Sequence, residues 1–100
     1  MKKVSIQMNI PGATSKQYEQ VWDDLKAAGA ANPKGLLHHV GIAQPHGILV
    51  YDTWESEEAF KEFGKTLMPL LAKNKMQGQE PIILPVHLEY NAKNQNNAEI

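Results

Sequence analysis

The chain has 100 residues, 42% of them hydrophobic, and a formal net charge of −1. That is one domain of ordinary size able to bury a core. It has no basic stripe for nucleic acid and no apolar run as long as a membrane span. There is no cysteine, which excludes disulfides, thiolate metal sites and thiol nucleophiles.

The N-terminal stretch opens on two lysines and then alternates, with Val4, Ile6, Met8 and Ile10 separated by Ser5, Gln7 and Asn9. Alternation predicts a strand with unlike faces. It also lacks the continuous apolar core of a signal peptide, so a cytoplasmic protein is expected. Pro11-Gly12 ends the strand. Thr14 and Gln17 form a capping-box pair, and Tyr18, Val21, Trp22 and Leu25 follow at helical spacing. Gly29 offers a left-handed C-terminal cap, and Pro33 prevents a return to helix.

Residues 35–43 and 47–54 read as two strands joined by the turn Gln44-Pro45-His46-Gly47, an antiparallel hairpin. Ser56 is the predicted N-cap of a second helix whose acids suit the positive end of the macrodipole. Phe60, Phe63, Leu67, Leu70 and Leu71 recur at helical spacing, but Pro69 predicts a kink or break near Met68. Residues 72–81 read as a loop, 82–90 as the last strand, and 91–100 as a frayed tail outside a single domain spanning 1–90.

This βαββαβ order predicts an α+β, ferredoxin-like fold with both helices on one face of a four-stranded antiparallel sheet. In that sheet the first strand lies between the third and fourth, and the second is an edge. On the third strand Ile48 and Val50 point one way, Leu49 and Tyr51 the other. On the second, Leu36, Val40 and Ile42 oppose Leu37 and Ala43. Both faces are therefore partly apolar, and a homodimer that covers the open face is expected.

His38 and His39 are neighbours on a strand, so they face opposite sides of the sheet and cannot share one metal without a bulge. One should face the helices and the other the partner subunit. Histidine ordinarily titrates near pH 6.5, which suits a general base in a cavity between sheet and helices. The competing reading is a pair of satisfied hydrogen-bonding side chains. His87, in the last strand, is remote from both within one subunit, and His46 lies in the turn. No His-x-His or His-x-x-x-His spacing occurs, so no metal site is expected.

Asp52 is most simply a cap for the helix start; its functional reading is a carboxylate at the cavity mouth. Trp54 and Phe60 are read as packing anchors. Asn9, Tyr18, Trp22 and Tyr51 are polar or amphipathic groups able to line a pocket for an aromatic ligand.

The stretch YDTWESEEAFKEF (51–63) resembles the strand-to-helix junction of the dimeric α/β barrel superfamily. LMPLL and PVHLEY also resemble its antibiotic-biosynthesis-monooxygenase-like group. The resemblance spans about residues 3–90. It implies a dimeric barrel that takes a small aromatic or hydrophobic molecule between sheet and helices, with no cofactor. It places a histidine in that pocket, which selects His39 ahead of His38 as the base, with Tyr51 or Tyr18 positioning the ligand and Trp22, Trp54, Asp52 and His87 around it.

Deprotonation of an electron-rich substrate would then allow direct reaction with oxygen, as in a cofactor-free monooxygenase; an isomerase is the other enzymatic form. Haem-degrading relatives carry an asparagine on the helix-facing side of the first strand, a tryptophan in the second helix and a later histidine. This chain has Ile6 and Met8, Phe63, and no histidine between Glu55 and Pro81. Quinone-forming relatives use an arginine, and here every basic residue other than histidine is lysine. The alternative is a non-catalytic dimeric binding or stress-associated module.

Overall fold

The computed structural model describes residues 2–76, 80–90 and 92. Its elements run β1 (Val4–Pro11), α1 (Ser15–Ala27), β2 (Leu36–Gln44), β3 (Gly47–Trp54), α2 (Glu57–Lys73) and β4 (Ile82–Pro85). The strands form one antiparallel sheet in the order β2-β3-β1-β4. This is the ferredoxin-like α+β arrangement that the element order predicts.

The alternation along β1 sets the two faces. Val4, Ile6, Met8 and Ile10 are all buried, as are Ile48, Val50 and Trp54 on β3. The helices lie over this face, and α1 contributes Val21 and Leu25 while α2 contributes Phe60 and Leu71. Trp54 is completely buried; its ring meets Phe60 edge-on at 5.7 Å and Phe63 at 5.4 Å.

The helix ends follow the sequence signals. The Thr14 hydroxyl accepts from the Gln17 N–H at 3.1 Å, while the Thr14 N–H donates to the Gln17 side chain at 2.9 Å. Ser56 caps α2 through the Ala59 N–H at 3.1 Å. Gly29 follows α1 with φ of 72°, the left-handed conformation that stops a helix at little steric cost.

Three local expectations are corrected. First, α2 runs through Pro69 without a break. The ring already has a helical φ, so the cost is one lost hydrogen bond and a clash in the preceding turn. The packing of Leu67, Leu70 and Leu71 against the core outweighs it. Second, β4 has four residues rather than nine. Its register ends with Pro85 opposite Val4, the first residue of β1, so there is no strand left to pair with. The Val86 N–H reaches the Lys3 carbonyl at 3.0 Å, and Lys3 and Glu89 form an ion pair at 2.7 Å.

Third, a bulge shifts the register of β2 between Leu36 and His38. Leu36 pairs with Trp54 and packs against the core, while Val40 and Ile42 face the open side. An extra residue reverses the alternation of everything beyond it, so Leu36 does not share a face with Val40. The expected frayed tail lies outside the described residues apart from Ala92. Among the described residues no helix is long and apolar enough to cross a membrane.

Candidate functional site

The hairpin builds the site. Counting back from Gln44 opposite Gly47, the sixth pair brings His39 opposite Asp52. Asp52 shares the helix-facing side of β3 with Val50 and Trp54, and it is 9% exposed. A buried carboxylate needs donors on its oxygens. Two are supplied: the Trp54 indole N–H donates to Oδ2 at 3.0 Å, and His39 Nδ1 lies 2.5 Å from Oδ1. Asp52 is therefore not a helix cap.

The carboxylate can only accept, so Nδ1 of His39 carries the proton. In the neutral imidazole Nε2 is left as the acceptor, and it meets the Tyr18 hydroxyl. The result is one continuous chain, Trp54–Asp52–His39–Tyr18, running from the core to the edge of the sheet. An adjacent carboxylate that fixes the tautomer and stabilises the imidazolium is how a histidine base is prepared for proton transfer.

Helix α1 supplies the cover. Val21 and Leu25 enter the core, while Tyr18 and Trp22, on the same stripe, lie over His39. The Tyr18 ring is nearly parallel to the imidazole, 12° apart at 6.0 Å, and the Trp22 ring meets it edge-on at 4.9 Å. Burial raises the Tyr18 phenol above its ordinary pKa. A hydrogen bond with Trp22 opposes the shift, and the nearby charge of Asp52 adds to it.

Beside this chain lies a cavity between sheet and helices. His39, Tyr18, Trp22, Asp52 and Trp54 line it on one side. Ile6, Met8, Leu36, Phe63, Leu67 and Met76 are among its apolar walls. Its volume is about 50 Å³, room for no more than a few waters, whereas pockets for small organic ligands begin near 300 Å³. A ligand of that size enters only if a lining side chain moves.

The other candidates lie elsewhere. His38 pairs with Thr53 and Tyr51 with Val40, so both are on the open face of the sheet. His87 is exposed beyond the end of β4. Asn9 is on the open face as well, and its buried Oδ1 has no hydrogen-bond partner among the described residues. Among those residues no three histidine or acidic side chains converge as a metal would require.

The His39–Asp52 pairing could have been found by counting from the turn. Gly41 is the residue that sequence reasoning passed over. An ideal Cβ there would fall 2.4 Å from the Tyr18 hydroxyl oxygen, and a glycine inside a strand is the available signal of such an approach.

The architecture is the ferredoxin-like α+β fold, and solved structures of that fold resemble the chain. The chain is similar in fold to SnoaB, a cofactor-independent oxygenase from Streptomyces nogalater. The TM-score is 0.63 at 13% identity, over 89% of this chain and 97% of that one. A protein of Chloroflexus aurantiacus J-10-fl, assigned as an antibiotic biosynthesis monooxygenase, gives a TM-score of 0.62 at 13% identity over 89% and 97%. A dimeric ferredoxin-like protein from an uncultured marine organism gives 0.60 at 15% identity over 91% and 93%. No protein-family model matches the chain, and no curated protein matches its sequence.

Proposed function

We propose that the chain binds a small aromatic or hydrophobic molecule between sheet and helices, and that His39, oriented by Asp52, is the general base of a cofactor-independent, monooxygenase-like reaction. The observation that carries this reading is the unbroken Trp54–Asp52–His39–Tyr18 chain beside an apolar cavity. The resemblance in fold to a cofactor-independent oxygenase supports it. Nε2 takes a proton from an activated carbon of the electron-rich substrate, and Asp52 stabilises the imidazolium that forms. The carbanion reduces oxygen; one oxygen atom ends in a new carbonyl group and the other leaves as water. Trp22 and the apolar walls hold the flat ring. The protein works as a homodimer through the open sheet face, a reading supported by the dimeric relative of the same fold.

A second reading, a non-catalytic dimeric binding or stress-associated module, is favoured by the cavity of about 50 Å³. In that case the polar chain only satisfies a buried carboxylate. A thermal-shift screen with aromatic compounds separates the two. Stabilisation of wild type and His38→Ala, but not of His39→Ala, is expected, with oxygen uptake in the presence of the stabilising compounds. Equal stabilisation of all three proteins removes His39 from the site.

A further inference from the structure

Gly41 lies two residues beyond His39 on β2, opposite Val50 and on the same helix-facing side. Its backbone is not in the left-handed region that favours glycine, so the conformation itself admits any residue. Glycine within a strand weakens it, since it packs no side chain and loses more entropy on folding. The space above it explains the choice. A Cβ at Gly41 would fall 2.4 Å from the Tyr18 hydroxyl oxygen, 2.6 Å from Cζ and 3.0 Å from Cε2. These are atoms of a rigid ring end, which gives way only if the whole side chain swings. The same hydroxyl is the group that meets His39 Nε2.

We infer that Gly41 is a positioning residue for the base: its missing side chain is the seat of the Tyr18 phenol, and Tyr18 seated there caps His39 Nε2 and closes the cavity. This rests on the reading of His39 as the base. The seated phenol occupies the one ring nitrogen left to accept a proton, so a ligand reaches that nitrogen only after Tyr18 leaves its seat. Gly41 thereby sets how often the site is open. Trp22 also covers the imidazole, but the three atoms nearest a Cβ at Gly41 all belong to Tyr18.

The test is Gly41→Ala, read by phenol titration and by the ¹⁵N signals of the His39 ring, with Tyr18→Phe identifying the Tyr18 transition. In wild type the Tyr18 phenol titrates above its ordinary range, because burial raises it. In Gly41→Ala that transition is expected to fall back to the ordinary range near pH 10, and Nε2 to lose its partner. An unchanged Tyr18 titration and unchanged ring signals overturn the inference. If Gly41→Ala folds poorly, the pair Tyr18→Ala and Tyr18→Ala/Gly41→Ala decides. The loss in Tm caused by alanine at position 41 is expected to vanish once Tyr18 is gone. The same loss in both backgrounds overturns the inference. None of these readouts involves a ligand or turnover. Failure of the catalytic reading would therefore leave them unmoved, and their failure would leave the ligand screen intact.

Discussion

Each oxygen of the buried Asp52 carboxylate has one donor, the Trp54 indole on Oδ2 and His39 on Oδ1. Trp54→Phe keeps a buried aromatic ring but removes the indole donor, together with some ring volume. The cost expected from a buried acceptor left short is about 1–3 kcal/mol, measured by urea unfolding, together with a shift of the His39 ring signals as its carboxylate loosens. Tyr18 makes a prediction in pH. Its phenol titrates above the ordinary value of 10.0 because burial disfavours the anion. The unfolded chain therefore ionises first as pH rises, and the neutral folded phenol is left behind. Stability is expected to fall from about pH 10 upward, and less so in Tyr18→Phe, as read by urea midpoints. At this scale the strand partners were legible. His39 lies opposite Asp52 by counting from the turn, and Trp54 shares the face of Asp52 by alternation. Tyr18 was not, because no rule of spacing says where a helix sets down on its sheet.

Helices α1 and α2 are held together at one end by a polar clasp. The Asn74 amide donates to Asp24 at 2.9 Å, and Gln20 donates to the other oxygen of the same carboxylate at 3.0 Å. The Gln17 side chain donates to the Asn74 carbonyl at 3.2 Å. The Asn74 bond first, then Gln20, holds the Asp24 carboxyl below its ordinary value of 3.8; Lys73 adds to this and desolvation opposes it. A carboxylate lowered in the fold stabilises at higher pH and loses that contribution as pH falls through its folded pKa. Asp24→Asn is therefore expected to lower the urea midpoint at neutral pH, with the difference closing in acid. Pro69 makes the opposite prediction. It is exposed inside α2, so Pro69→Ala restores a hydrogen bond and is expected to raise stability by about 1–3 kcal/mol. The elements themselves were legible from alternation, caps and turns. What failed were continuity and register, at Pro69, at the Leu37 bulge and at the end of β4. There packing and strand length overrode local preference.

The His39 site lies on the helix-facing side of the sheet, and the opposite side carries exposed apolar residues. On the open face, β1 places polar Ser5, Gln7 and Asn9 down the middle, and their cross-strand neighbours are Leu49 and Tyr51 on β3 and Ile82 and Leu84 on β4. Val40 and Ile42 extend the apolar area to the β2 edge, and both are exposed, as are Ile82 and Leu84. Exposed apolar side chains on both flanks of the polar β1 stripe are an area that a second copy of the chain would cover. The expected solution mass is twice that of the chain. Val40→Lys and Leu84→Lys place charges on the two apolar flanks of that face and should give monomers, with a lower Tm because association no longer stabilises the fold. A wild-type mass equal to one chain at all concentrations would contradict the dimer. Since Tyr18, His39 and Gly41 lie on the opposite face, a folded monomeric variant should keep the raised Tyr18 titration. Loss of that titration on monomerisation would mean that the helix-side cavity owes its closure to the partner rather than to Gly41.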